Sequence, residues 1–119
     1  MRAAVCYEFG KPLVIEDLDM RAPRSDEVKV KVAVTAICHS DIHDWHGELP
    51  GGLPFVGGHE VAGYVEEVGT GVDSFAPGDR VIVSLLESCG KCLYCVTGRP
   101  FFCETKVTYD VKGTLTNGK

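Results

Sequence analysis

The sequence predicts a mainly β domain, a barrel or sandwich of short strands, and two observations carry that expectation. From Glu27 to Ala36, residues Val28, Val30, Val32, Val34 and Ala36 fall on one face and Lys29, Lys31, Ala33 and Thr35 on the other. That period of two is the pattern of a half-buried strand. β-rich runs then recur at Ala3 to Tyr7, Leu13 to Leu18, Val61 to Val68 and Arg80 to Leu85, divided by Gly10-Lys11-Pro12, Ala22-Pro23, Gly69-Thr70-Gly71 and Pro77-Gly78-Asp79. Short strands closed by Gly and Pro turns are how such folds are built.

Between these strands the pattern changes three times. His39 to Trp45 breaks the alternation and predicts a short helix, with Ser40 or Asp41 as its cap. Residues Pro50 to Gly58 hold four glycines and two prolines, too irregular for strand or helix, so His59 is expected to leave a loop that delivers it to a site. Residues Cys89 to Cys103 form a further excursion with little apolar content of its own. The segment Glu104 to Lys119 carries a possible hairpin.

With 119 residues and 45% hydrophobic content, the chain suits one modest core and is expected to fold as one unit, 1–119. A net charge of -5 and no cluster of Lys or Arg exclude the usual nucleic-acid binder. No run approaches a membrane span, and Met1 to Phe9 is too short an apolar run for a secretory signal. A cytoplasmic protein with neither nucleic-acid nor membrane partner is the expectation, and in a reducing compartment its six cysteines point to metal rather than disulfides.

Cys89, Cys92, Cys95 and Cys103 stand at the spacing C-x2-C-x2-C-x7-C, which lets four thiolates converge on one tetrahedral ion and leaves no open position. The expected occupant is a structural zinc within a lobe at residues 86–104. Redox-paired thiols and an iron-sulfur cluster are the alternatives, the latter using other spacings. Lys91 and Arg99 could offset thiolate charge or simply be solvated.

A second group of ligand-type residues lies in Cys38-His39-Ser40-Asp41-Ile42-His43 and Gly57-Gly58-His59-Glu60. A catalytic zinc takes three protein ligands and keeps a position for substrate. Cys38 and His59 supply two candidates, with Asp41 as the carboxylate that orients His59 and Glu60 on the metal's far side. Taken singly, each has a plainer explanation as a buried thiol, a helix-capping aspartate, a surface histidine or a solvated glutamate. Their joint appearance favours metal.

At these residues the sequence resembles the zinc-containing medium-chain alcohol dehydrogenases. Gly58-His59-Glu60 with Gly63, Gly69 and Val72 fits their G-H-E-x2-G-x5-G-x2-V signature, and Cys-His-Ser-Asp-x-His, Phe75-x-Pro77-Gly78-Asp79-Arg80-Val81 and the four-cysteine lobe follow in family order. The resemblance implies a GroES-like, partly open β-barrel with short helices. It makes Cys38 and His59 catalytic zinc ligands, Asp41 and Glu60 supporting carboxylates, and Ser40 and His43 a proton relay through the cofactor ribose. His39 takes the place that contacts cofactor phosphate. A small alcohol and its aldehyde or ketone would be the substrates, NAD or NADP the cofactor and a homo-oligomer the expected state. Trp45, Leu49 and a residue near Leu85 are the expected pocket walls, with plain core packing as the alternative for each.

The same resemblance marks what these residues do not include. No Gly-rich cofactor turn occurs in them, and the family's third catalytic ligand falls beyond residue 119, with Cys6 too early to replace it. The expectation is therefore an excised piece or partial gene product, inactive alone, with an uncovered apolar surface that self-associates. Alternatives are a non-catalytic zinc module and a polyol, enone or cinnamyl-type reductase of the same fold.

Overall fold

Residues 1–85 and 88–104 are described in the computed structural model; the hairpin expected after Glu104 lies outside them. Among the described residues six strands pair as two three-stranded antiparallel sheets. In the first, β1 (Arg2–Cys6) runs between β2 (Val14–Asp17) and β4 (Phe55–Val56), with Ala4 opposite Ile15 and Cys6 opposite Phe55. In the second, β5 (Glu60–Val68) runs between β3 (Val28–Ala36) and β6 (Arg80–Val83). The mainly β expectation holds, and no ladder joins the two sheets among the described residues, an open arrangement. β4 corrects the reading of Pro50 to Gly58 as wholly irregular, because Phe55 and Val56 find the free edge of β1.

The helix α1 spans His39–His46, and its N-cap is Cys38 rather than Ser40 or Asp41. Asp41 still serves the cap, one turn further in, where its Oδ2 accepts the Cys38 N–H at 2.8 Å. The far end is pinned to the β1–β2 turn, since Trp45 Nε1 donates to Lys11 O at 2.7 Å and Gly10 N donates to Trp45 O at 2.8 Å. Two short turns of helix, α2 (Leu93–Val96) and a 3-10 turn (Pro100–Phe102), fill the cysteine excursion.

Two glycines of the signature are required by close backbone approach. A Cβ on Gly63 would lie 2.3 Å from Lys31 O, and one on Gly69 would lie 1.7 Å from Arg24 O. Neither contact is tolerable, so only glycine lets β5 lie this close to β3 and to the segment before it.

Val5 and Cys6 of β1, Val65 of β5 and Cys103 of the cysteine lobe are the buried apolar residues among those described. The valine face of β3 departs from the half-buried expectation, for Val32 and Val34 are 55% and 63% exposed. Register shifts between Lys29 and Val30 and between Val32 and Val34 also break the strict alternation there. Val34, Ala62 and Ile82 form one cross-strand row, and Ile82 is 85% exposed. An apolar stripe thus faces outward, above a depression of ≈ 430 Å³ that also reaches His59 and Glu60.

Candidate metal centres

The cysteine excursion is ordered by its own sulfurs. Cys92 is the N-cap of α2 and Cys95 lies within that helix, so one helical turn presents both; Cys103 closes the group just after the 3-10 turn. The Sγ–Sγ separations are 3.5 Å for Cys92–Cys95 and 3.9 Å for both Cys89–Cys95 and Cys92–Cys103. A tetrahedron with metal–sulfur bonds of about 2.3 Å has an edge of about 3.8 Å, so the four donors fit a zinc ion. All six cysteines of the chain carry thiols rather than disulfides.

Backbone N–H groups already point at these sulfurs, Cys92 N toward Cys89 Sγ and Cys89 N toward Cys103 Sγ, each at 3.3 Å. Backbone N–H groups of Cys95 and Glu104 hold the Cys92 thiol below its usual range. Burial, followed by the hydrogen bond with Cys92, pushes the Cys95 thiol up to about 12. A packed sulfur cluster cannot carry several negative charges without a cation to offset them. Lys91 and Arg99 are both solvent-exposed.

The second group is assembled by strand register. Ala36 pairs with Glu60 at the end of the β3–β5 ladder, which sets Cys38, two residues beyond Ala36, beside His59, one residue before Glu60. The donor atoms of Cys38, His59 and Glu60 lie within 4.8 Å of one another. Glu60, expected as a supporting carboxylate, therefore lies close enough to Cys38 and His59 to be a candidate ligand as well. No periodicity marks it, because His59 ends the loop and Glu60 opens β5.

Asp41 Oδ1 lies 3.2 Å from His59 Nδ1, a charge contact without hydrogen-bond geometry. On the opposite side of the ring, Ser40 Oγ is 3.3 Å from His59 Nε2. The Ser40 hydroxyl and backbone N–H, followed by His59, lower the Cys38 thiol from its usual range. His59 is raised in turn, chiefly by Cys38, with Asp41 and Glu60 adding to it. Each group thus favours the charged form of the other, and a metal cation between them would engage the same donors.

The remaining sequence-nominated residues divide. His39 is exposed, with its ring 4.9 Å from that of His43, while His43 Nδ1 donates to Glu48 Oε2. Leu49 and Leu85 line a pocket of ≈ 260 Å³ together with Phe9, Asp44, Phe55 and His59. Trp45 instead lines an adjoining, more apolar cavity of ≈ 460 Å³ with Cys6, Leu13 and Ile42, the two sharing Asp41 and Phe55 as walls. Cys6 donates to Glu8 O at 3.5 Å and belongs to neither donor group.

Residues 24–118 match the family described as alcohol dehydrogenase GroES-like domain. The chain belongs to that family. It is 45% identical over 118 residues to the S-(hydroxymethyl)glutathione dehydrogenase of Synechocystis, covering 98% of this chain and 32% of that protein. The NDMA-dependent alcohol dehydrogenase of Amycolatopsis methanolica is 45% identical over 107 residues, 90% of this chain and 29% of its own length. Among solved structures, an alcohol dehydrogenase zinc-binding domain protein from Burkholderia ambifaria superposes with a TM-score of 0.83 at 40% identity, covering 99% of this chain and 32% of that one. The chain thus spans about a third of the length of the family members it matches. No described helix is long and apolar enough to cross a membrane.

Proposed function

We propose that this chain supplies the zinc side of an NAD- or NADP-linked alcohol dehydrogenase that interconverts a small alcohol and its aldehyde or ketone. The observation that carries the proposal is the convergence of Cys38, His59 and Glu60 within 4.8 Å, with Ser40 Oγ 3.3 Å from His59 Nε2. The thiolate, imidazole and carboxylate are a donor set that suits zinc and differ from the closed four-sulfur lobe, which we assign to a structural ion. When bound, zinc supplies Lewis acidity to the substrate oxygen and the nicotinamide accepts the hydride.

The residues of the chain then have separable tasks. Asp41 stands beside Nδ1 of His59, where it orients the ring, and, by accepting the Cys38 N–H, fixes the residue that carries the thiolate. The Ser40 hydroxyl sits at the donor cluster and can both accept and donate a proton, as the first member of a relay must. His43, one turn further along α1, is the imidazole that passes the proton to solvent, and His39 beside it is the cofactor-phosphate contact. Leu49 and Leu85 form apolar walls for the substrate next to His59. A homo-oligomer is part of the same reading, supported by the outward apolar row of Val34, Ala62 and Ile82.

Zinc per chain tests the proposal. Elemental analysis of the purified protein and of Cys38→Ser is expected to give two ions and one ion respectively. A single ion in both proteins would leave only the lobe populated and overturn the assignment.

A further inference from the structure

The end of α1 places a carboxylate on the imidazole just assigned to the relay. Gly47 adopts a left-handed φ of 76°, Gly47 N donates to Asp44 O at 3.0 Å and Glu48 N donates to His43 O at 2.9 Å. These are the two backbone bonds of a Schellman turn, in which the residue after the glycine folds back over the residue five positions earlier. An apolar pair commonly fills those two positions. Here they hold Glu48 and His43, and the side chains meet, with His43 Nδ1 donating to Glu48 Oε2. His46 Nδ1 approaches the other oxygen, Oε1, at 3.6 Å. Glycine at 47 is required twice, by its φ and by the ring of Phe9, which lies 2.9 Å from where a Cβ would stand.

An imidazole has two nitrogens, and the one bonded to an acceptor-only group must carry the proton. We infer that Glu48 is a positioning residue that locks His43 in its Nδ1–H tautomer, so that the proton His43 gains and loses is the one on Nε2. This inference rests on the reading of His43 as a relay base; the tautomer itself is a property of these residues alone. The arrangement repeats the logic of a catalytic triad, where a carboxylate on Nδ1 leaves Nε2 as the working base. Consistently, the His43 N–H holds the Glu48 carboxyl below its ordinary range, with His46 contributing after it.

Ring-nitrogen NMR of the protein, above the imidazole titration range, reads the tautomer directly. The expected result is an N–H signal at Nδ1 and a bare nitrogen at Nε2 of His43 in the wild type. In Glu48→Ala the two signals should exchange places, whereas Glu48→Gln, which keeps a carbonyl acceptor, should retain the wild-type pattern, and His46→Ala should leave it unaltered. A proton on Nε2 in the wild type would overturn the inference, as would an unchanged pattern in a folded Glu48→Ala protein. If Glu48→Ala fails to fold, the wild-type spectrum still decides. Zinc content is independent of this readout: one ion per chain with Nδ1–H on His43 would remove the proposed catalytic metal and support the tautomer lock.

Discussion

The two donor groups of this chain are built in opposite ways. The four-cysteine lobe draws its sulfurs from one stretch, residues 89–103, and every donor is a thiol. The group around Cys38 draws on a helix N-cap, the loop residue before β5 and the first residue of β5, mixes sulfur, nitrogen and oxygen donors, and opens onto a pocket. A local, homogeneous site can close around its ion and stabilise only itself. A site brought together by strand pairing inherits rigidity from the sheet and can leave a face open for chemistry.

Removing one sulfur should separate the two regions most sharply. Cys103→Ser is expected to cost the protein its lobe zinc and the order of residues 89–103, because with little buried apolar surface the metal supplies most of the lobe's folding energy. Zinc should fall by one ion per chain and limited proteolysis should cut within the lobe, while β1 to β6 stay protected. Retention of the ion would break the comparison.

Acidity should distinguish the groups next. Zinc displaces protons from its thiol ligands, so apparent affinity falls as pH falls. The lobe has four thiols to deprotonate, including Cys95 at about 12, whereas the other group has one, already lowered by Ser40 and His59. Chelator competition across the neutral range should therefore show a steeper pH slope for the lobe ion. Equal slopes would mean that the two sites titrate alike.

A smaller effect is expected from Asp41→Asn, which keeps the shape and removes the charge beside His59. Metal affinity at the Cys38 group should drop by roughly 10 to 100-fold while the lobe is unaffected, as typical for a ligand's supporting carboxylate. Binding isotherms on the variant would show it. An unchanged affinity would leave Asp41 only its role at the helix cap.

The smallest effect should come from a residue outside both groups. Glu27 accepts from Arg21 at 2.7 Å and from Arg24 N at 2.9 Å, and these bonds, led by Arg21, lower its carboxyl from 4.5 to about 2. A lowered carboxyl contributes stability that is present above its unfolded pKa and lost as pH falls through the folded value. Glu27→Gln should thus lower Tm slightly at neutral pH, with the gap closing between 4.5 and about 2. Salt should shrink it, since the pair is only half-buried. Thermal melts with zinc measured in parallel should show both ions retained.

Most strands were legible because alternation and turn residues are local signals: the run around Val28 to Ala36, the Val61 to Val68 run and the Pro77-Gly78-Asp79 turn all sit where the sequence puts them. The exposure of Val32, Val34 and Ile82 was not legible, since a valine-rich strand reads the same whether or not anything covers it. The pairing of β4 was equally hidden, because a strand of two residues carries no periodicity.

By itself the sequence determined which four cysteines share the lobe, for C-x2-C-x2-C-x7-C keeps its sulfurs within reach of one another whatever the rest of the chain does. Tertiary structure alone decided that Glu60 joins Cys38 and His59, through the Ala36–Glu60 register, and that Trp45 lines a different cavity from Leu49 and Leu85. It also decided that Glu48 meets His43, through the backbone turn at Gly47. The physical reason is range: spacing along one short loop is set by bond geometry, whereas contacts between a helix end and a strand start depend on register, and register is chosen by the whole sheet.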